Sequence, residues 1–361
     1  MNVVFILKTI EHQRCMKRIQ AFIDKGYHVE VYGFNRRQSV QQQYDFKINS
    51  LGVIEDGASY TKRIREYLTA RKVIKKHGKE SDVLFYLFGL DLALPLIMFN
   101  GAMRYIYEES DLIHTKFKYR FIISLFEYID KRIIKNSRVS VLTSEGFVKY
   151  HYGKGPMPKN ICVLPNKLNR LCKDLKPTDK TIDYEHLKVG FVGFFRYESV
   201  YNFLSVTAQK YPKIQVKLFG ANSGWSDKQL EDLLLLPNIS DEGPFRNPIE
   251  LPLVYSQIDM VVSTYDIEDD NPRYAEPNKI YESIFFETPI IVSSKTFLAE
   301  KVEELGIGFH VNAKNDDEVV MFWENLNQNI LETKITACRS IQKSFCIDDE
   351  TELFEKLNHL E

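Results

Sequence analysis

A lysine and a glutamate three residues apart stand in the most informative segment of this 361-residue sequence, PNKIYESIFFETPIIV, residues 277–292. Pro277 suits the first position of a helix, where its missing N–H costs nothing. Lys279 and Glu282 then share one helix face. A helix start offers unpaired amides and a positive dipole to phosphate, Lys279 adds a cation, and Glu282 can accept hydrogen bonds from a ribose diol. The segment predicts a nucleotide site, although a solvated surface ion pair would give the same pattern.

A glycine and an arginine follow another predicted strand, Leu187–Val192. Gly193 would let the backbone approach a phosphate closely. Arg196 would add charge-assisted hydrogen bonds to phosphate oxygens. The alternative is a strand-ending turn beside a surface arginine. Gly220, at the end of the next predicted strand, is also a donor-binding candidate.

These segments, taken in order, resemble the C-terminal half of GT-B glycosyltransferases of family 4, the group 1 glycosyl transferases of bacterial polysaccharide synthesis. The family's donor motif has Pro, Lys, Glu and a terminal Pro followed by two Val or Ile residues, where this chain has Pro277, Lys279, Glu282 and residues 289–291. Thr288 stands where the family has a small residue before that proline. The runs at 189–196 and 243–259, which include Phe245, also resemble the family. The resemblance implies that Arg196 and Lys279 stabilise the departing nucleoside diphosphate without a metal ion and that Glu282 binds the ribose. Pro277 and Asn278 beside them are further donor-binding candidates.

Two positions depart from the family pattern. Many relatives have a glutamate eight residues before Glu282, where this chain has Tyr274, and the resemblance then passes the role near the donor sugar to Glu276 or to nearby backbone amides. The run 105–112 resembles a family segment that borders acceptor and sugar, but Ser110 replaces its histidine. Asp111 and Glu109 become the acid–base candidates, since a base near the acceptor hydroxyl would assist attack. The alternative is that Glu108 and Glu109 only cap a solvated loop.

The order of elements predicts the fold class. Short apolar runs alternate with helical patterns, which is typical of parallel sheets with helical crossovers. The pattern runs through residues 1–165, pauses in a polar stretch at 166–186, and restarts at 187–345. We therefore expect an α/β protein with two Rossmann-like domains facing across a cleft (GT-B), joined by a linker at 166–186. The last segment, 346–361, is expected to form a helix that crosses back to the first domain.

Charge is divided between the halves. Residues 1–165 contain 27 Lys and Arg against 16 Asp and Glu, whereas residues 166–361 contain 21 against 33. A basic half favours anionic lipid, phosphate or the acidic domain itself. The predicted helix 117–135 is amphipathic; its apolar face is expected to pack on the sheet, while Lys116, Lys118 and Arg120 are candidates for contact with an acceptor or a membrane.

Composition excludes several classes. The five scattered cysteines form no CxxC pair, so neither a disulfide framework nor a zinc site is expected. The acidic run 266–270 lacks the oxygen set of a hard-cation site, and single histidines such as His114 are expected to be structural. No stretch approaches 18 apolar residues and residues 1–8 do not resemble a signal peptide, so a cytoplasmic protein at or near the inner membrane face is expected.

The sequence thus predicts a glycosyltransferase that moves sugar from a nucleotide-sugar to a glycan acceptor, most simply one linked to a lipid diphosphate. The resemblance implies a retaining, metal-independent reaction with no cofactor. Alternatives are a non-hydrolysing sugar-nucleotide epimerase and a binding-only protein with a degenerate site. An NAD-dependent dehydrogenase is disfavoured because the loop 8–16 contains no glycine.

Overall fold

The computed structural model of the chain describes residues 1–10, 12–36, 45–55, 58–77, 82–100, 103–177 and 180–359. These residues form two compact units. The first contains residues 1–164 together with 349–361, and the second contains residues 165–348. Each unit is built around one parallel β-sheet with helices as crossovers, which confirms the predicted α/β class and the two Rossmann-like domains.

The sheet of the first unit has seven strands in the order β3-β2-β1-β4-β5-β6-β7. Its strands are β1 (Asn2–Leu7), β2 (His28–Asn35), β3 (Ile48–Val53), β4 (Val83–Phe88), β5 (Tyr105–Glu109), β6 (Val139–Leu142) and β7 (Ile161–Val163). Its helices are α1 (Gln13–Asp24), α2 (Tyr60–Tyr67), α3 (Arg71–His77), α4 (Leu90–Asn100), α5 (Arg120–Asn136), α6 (Glu145–Tyr152) and, from the far end of the chain, α15 (Thr351–His359). Strand β4 is buried at every position, as its continuous apolar run predicts.

Helix α15 completes the core of the first unit. Leu353, Phe354 and Leu357 are buried in the same cluster as Phe5 and Phe22. The ring of Phe354 packs against Phe22 with a centroid separation of 5.0 Å. This placement agrees with the expectation that the last helix returns to the first domain.

A buried arginine reinforces that return. Arg18 of α1 is 1% exposed and donates to Glu350 at 2.8 Å and to Glu108 of β5 at 3.3 Å. It also donates to the carbonyl oxygen of Leu164 at 3.2 Å. One side chain therefore links α1, the sheet and the segment that leads into α15.

The sheet of the second unit has six strands in the order β10-β9-β8-β11-β12-β13. Its strands are β8 (Lys188–Phe195), β9 (Gln215–Asn222), β10 (Ile239–Gly243), β11 (Met260–Ser263), β12 (Ile290–Ser293) and β13 (Gly308–Val311). Its helices are α7 (Glu198–Lys210), α8 (Asp227–Leu234), α9 (Leu251–Ser256), α10 (Asp270–Tyr274), α11 (Lys279–Phe285), α12 (Phe297–Leu305), α13 (Asp316–Asn325) and α14 (Gln328–Ser340).

The segment 166–186, expected to be a linker, is part of the second unit. Leu168 and Cys172 are buried in an apolar cluster of that unit. The ammonium of Lys180 donates to the carbonyl oxygen of Ile258 at 2.5 Å and to Thr288 at 2.8 Å. The segment is polar because it lies along the outside of the unit, with single apolar residues turned inward.

Helix α5 departs from the expectation that its whole apolar face packs on the sheet. Ile133 and Ile134 are buried, but Phe121, Leu125 and Tyr128 are 72%, 53% and 56% exposed. These three stand four and three residues apart, so they form one outward stripe. The helix has more apolar surface than the sheet can cover, and its N-terminal half keeps that surface exposed.

No helix in the described ranges has the length and apolarity that a bilayer crossing requires.

Candidate active site in the second unit

A cavity of about 180 Å³ opens at the carboxyl ends of β8 and β11. Strand order reverses between these two strands, because β9 and β10 lie on one side and β12 and β13 on the other. Parallel α/β sheets bind ligands at such a reversal point. The cavity walls come from the end of β8, the end of β11 and the start of α11: Phe191, Val192, Gly193, Phe194, Arg196, Tyr197, Val262, Ser263, Tyr265, Asn278 and Lys279.

The backbone at the end of β8 requires glycine. Gly193 has φ of 146° and pairs with Gly220 of β9, which has φ of 145°. A methyl group at Gly220 would overlap the carbonyl oxygen of Gly193. Gly220 therefore shapes the floor of the site from the neighbouring strand without lining the cavity, while Gly193 lines it directly.

Arg196 supplies one cation to the cavity wall. It follows β8 and is exposed, with its guanidinium 4.8 Å from the centre of the Tyr197 ring. Stacking on an aromatic ring restrains the side chain and leaves its N–H groups to other partners. Beside it, Phe194 is 65% exposed, an apolar surface at the cavity that sequence analysis did not identify.

Lys279 supplies the second cation, and a buried carboxylate holds it. Its ammonium donates to Glu282 at 2.7 Å. Glu282 has no exposed surface and also accepts hydrogen bonds from Tyr255, at 2.7 Å, and from Asn278. Burial and the adjacent Glu282 carboxylate raise the pKa of Tyr255 well above its ordinary value, so Tyr255 stays a donor. Glu282 thus fixes Lys279 and Asn278, which line the cavity, and does not line it itself.

The start of α11 offers fewer unpaired amides than the sequence suggests. The helix has seven residues, and the amides of Ile280 and Tyr281 donate to the carbonyl oxygens of Pro277 and Asn278. Because Asn278 already has helical backbone angles, the first turn partly satisfies itself. The charge at this end of the cavity comes mainly from Lys279.

Glu276 lies in a separate buried contact. It is 4% exposed, and one of its oxygens accepts from Lys301 at 2.7 Å and from the hydroxyl of Tyr281. Its other oxygen, Oε2, is buried with no hydrogen-bond partner. Glu276, Pro277 and Phe245 do not line the cavity.

Several residues that line the cavity are only weakly indicated by the sequence. Tyr197, Ser263 and Tyr265 line it alongside Phe194. They are ordinary strand-end residues with no characteristic spacing. Only their position at the carboxyl ends of the two central strands could have indicated them.

The candidates of the first unit divide by exposure. Asp111 is exposed just beyond β5, and Lys116, Lys118 and Arg120 are exposed before and at the start of α5. Glu109 has no exposed surface, and its Oε2 is hydrogen-bonded to Nε2 of His151 at 2.8 Å. Burial raises the pKa of Glu109 to about 8. Asp111 is accordingly the better placed of the two acid–base candidates to meet an acceptor.

Comparison with known proteins places the fold. No family model matches the chain and no curated protein matches it in sequence. Among solved structures, it is similar to sucrose-phosphate synthase from Thermosynechococcus elongatus, with a TM-score of 0.71 and 14% identity over 100% of both chains. It is also similar to Anabaena HepE in complex with UDP and glucose, with a TM-score of 0.69 and 12% identity over 99% of this chain and 100% of that one.

A third similar structure is described as an enzyme of a different class. It is a Listeria monocytogenes protein assigned as a UDP-N-acetylglucosamine 2-epimerase, with a TM-score of 0.67 and 11% identity over 100% of this chain and 96% of that one. At such identities the likeness establishes the fold alone. The chain has the two-domain α/β fold of GT-B glycosyltransferases, a fold that these epimerases share.

Proposed function

We propose that the chain is a glycosyltransferase that uses a nucleotide-sugar donor. The observation that supports this most directly is the convergence of Arg196 and Lys279 on a cavity at the strand-order reversal of the second unit. Two cations on one small cavity suit a diphosphate. Solved structures of the same fold bind UDP, HepE among them.

The proposed chemistry places the leaving group at these cations. The bond between the sugar C1 and the diphosphate oxygen breaks, and its electron pair leaves on the nucleoside diphosphate. Arg196 and Lys279 stabilise that charge as it develops, which lowers the barrier without requiring a metal ion at this position. Retention of the configuration at C1 is proposed from the family resemblance alone.

The acceptor hydroxyl forms the new bond to C1 and gives up a proton. Asp111 is the proposed base, since it is exposed at the carboxyl edge of the first sheet. Glu276 was the candidate to take the place of the missing motif glutamate, but it is buried and does not line the cavity, so it is given no part in this step. A binding-only protein would bind the nucleotide-sugar but would not transfer the sugar to an acceptor.

The acceptor is proposed to be a glycan linked to a lipid diphosphate, as in cell-surface polysaccharide synthesis. The exposed stripe Phe121, Leu125 and Tyr128, together with Lys116, Lys118 and Arg120, supports contact with an anionic membrane. Apolar side chains flanked by cations are typical of helices that lie in a bilayer interface. The acceptor would then be reached from the membrane surface.

Thermal stabilisation by UDP, GDP, dTDP, CMP and NAD tests the donor site. A ligand at 100 times its Kd stabilises the native state by about 2.7 kcal/mol. We expect one nucleoside diphosphate to raise the Tm, and stabilisation by NAD alone would contradict the proposal. The preferred nucleotide is then supplied as its sugar conjugate, with and without a glycan acceptor.

The epimerase is the second candidate function, because an assigned epimerase shares the fold. Proton NMR of the nucleotide-sugar separates the two. Release of nucleoside diphosphate that depends on acceptor supports transfer, whereas conversion to an epimer without acceptor supports the alternative.

A further inference from the structure

Three potential metal ligands meet in the interior of the first unit, outside the proposed donor site. Glu109 ends β5, His114 lies in the 3₁₀ turn that follows, and Asp130 lies on α5. Glu109 and His114 have no exposed surface, nor does Asp130. One ligand atom of each lies within 4.8 Å of those of the other two.

Each of the three also has one atom held from outside the group. Glu109 Oε2 is bonded to His151 Nε2 at 2.8 Å. Asp130 Oδ1 accepts from the hydroxyl of Tyr107 at 2.8 Å. His114 Nε2 lies 3.3 Å from the hydroxyl of Tyr150. Such outer contacts orient metal ligands in proteins.

The remaining atoms of the three side chains face one another. Glu109 Oε1, Asp130 Oδ2 and His114 Nδ1 are buried and make no hydrogen bond of ordinary length and angle. His114 Nδ1 lies 3.5 Å from Asp130 Oδ2, and the carboxyl groups of Glu109 and Asp130 are within hydrogen-bonding reach of each other. Buried polar atoms of native proteins are almost always satisfied, so three converging ones need an occupant or a shared proton.

Charge compensation points the same way. The neighbouring carboxylate of Glu108 is equally buried, but Arg14 at 3.1 Å and Arg18 at 3.3 Å neutralise it. In the described ranges no lysine or arginine is paired with Glu109 or Asp130. Two ionised carboxylates without a counter-charge would be very costly in a protein interior.

We propose that Glu109, His114 and Asp130 bind a divalent first-row transition-metal ion that stabilises the first unit. Two carboxylates and one imidazole suit zinc, manganese or iron, and the Irving–Williams order favours zinc over the other two. The ion would neutralise both carboxylates and join β5 to α5. It would be structural, since the site is closed, and it is independent of the donor chemistry in the second unit.

Metal analysis of the untagged, full-length protein tests the proposal. The protein is purified without chelator and its metal content is measured by mass spectrometry; a chelated sample is then titrated with Zn²⁺, Mn²⁺ and Co²⁺. We expect about one ion per chain, a Tm that falls on chelation and recovers on addition of metal, and visible absorption bands with Co²⁺.

Asp130→Asn distinguishes a metal from a proton shared by the two carboxyls. The amide can donate to Glu109 much as a protonated carboxyl would, so a shared proton predicts a Tm close to wild type. A metal site predicts metal affinity reduced about tenfold or more and a Tm that no longer responds to chelation. Glu127→Gln, on the same helix and paired with Lys131 at 2.6 Å, is the control and should keep the metal. His114→Gln should also lose the metal.

Absence of bound metal, no Tm response to any of the three ions, and a stable Asp130→Asn would together overturn the proposal. Metal loss in Glu127→Gln equal to that in Asp130→Asn would also overturn it, since binding would then not depend on these ligands.

Discussion

Arg196 and Lys279 bring positive charge to a cavity in a unit whose overall charge is negative. At the cavity this local pair of cations outweighs the negative charge of the rest of the unit, because salt screens charges that lie farther away. Glu282 lies behind the wall and acts through Lys279 and Asn278. The glutamate of the motif is thus a positioning residue in this conformation.

Arg196→Ala should weaken binding of the preferred nucleoside diphosphate. A hydrogen bond to a charged group contributes about 1.5–3 kcal/mol, so we expect the Kd to rise about ten- to a hundredfold. Isothermal titration calorimetry measures the change. Lys228→Ala, an exposed lysine of α8 away from the cavity, is the control. Equal affinity in the two variants would remove Arg196 from the site.

Glu282→Ala should reduce both stability and nucleotide affinity. Loss of the carboxylate leaves Lys279 as a largely buried cation without its partner and removes an acceptor from Tyr255. Breaking a buried ion pair costs about 3–5 kcal/mol. Urea unfolding and calorimetry check the two effects, with Glu303→Ala on the exposed face of α12 as control. Unchanged affinity would refute the role of Glu282 at the donor site.

At the scale of single residues, the sequence indicates which residues lie at the cavity but not which carboxylates are buried. Residue type and spacing indicated Gly193, Arg196, Asn278 and Lys279, and the structure brings all four to one cavity. Spacing could not show that Glu109 and Glu282 are fully enclosed. Enclosure depends on α5, α9 and other segments that are distant in sequence.

Strand pairing of β8 with β9 shapes the floor of the cavity in the second unit. Gly220→Ala should be destabilising beyond its backbone effect, because the new methyl group would displace the Gly193 carbonyl. Gly243→Ala is the matched control, since Gly243 also has a positive φ but open space around it. We expect about 1–2 kcal/mol for the control and clearly more for Gly220→Ala, both by urea unfolding. Equal losses of unfolding free energy in the two variants would mean that the contact with the Gly193 carbonyl is not what destabilises Gly220→Ala.

Helix α5 makes the proposed membrane contact testable. Phe121→Ser should lower partition into anionic phosphatidylglycerol vesicles about tenfold, because burying such a side chain is worth about 1.5–3 kcal/mol. Vesicle co-sedimentation at two salt concentrations measures it. Leu235→Ser removes an equally exposed side chain, 81% exposed, from the acidic second unit and should have no effect. Equal binding to neutral and anionic vesicles would refute the contact.

Some elements have clear signals in the sequence and others do not. Helix α12 (Phe297–Leu305) has a threonine, Thr296, that caps its start and a glycine, Gly306, at its end. Helix α4 has no amphipathic pattern, because its sequence is almost entirely apolar and contains Pro95. Short edge strands such as β7, with three residues, are too brief for periodicity to indicate them.

The first unit is assembled from both ends of the described chain. Removal of residues 349–361 would expose the sites of Leu353, Phe354 and Leu357 and leave Arg18 without Glu350. Three such side chains contribute about 5–9 kcal/mol in total, which is comparable to the whole stability of a domain. We expect calorimetry of the truncated chain to lose the transition of the first unit and keep that of the second.

Glu355→Ala provides the comparison for this truncation. Glu355 lies on the outer face of α15, so its replacement should leave both transitions in place. A truncated chain that unfolds like the full one would show that the first unit does not depend on α15.

The fold as a whole followed from alternating strands and helices, and the last segment was expected to form a helix that returns to the first domain. The contact of Arg18 with Glu350 spans 332 residues, and no local pattern encodes it. Long-range polar contacts of this kind are settled by packing, which a single sequence does not display.

The return of α15 also affects the order in which the two units can fold during synthesis. Residues 165–348 leave the ribosome as a complete unit, whereas residues 1–164 must wait for 349–361 before their core can close. Domains commonly fold in the order in which they are made, whereas here we expect residues 165–348 to be able to close their core first. Until residues 349–361 are made, the surface around Phe22 that α15 covers stays exposed.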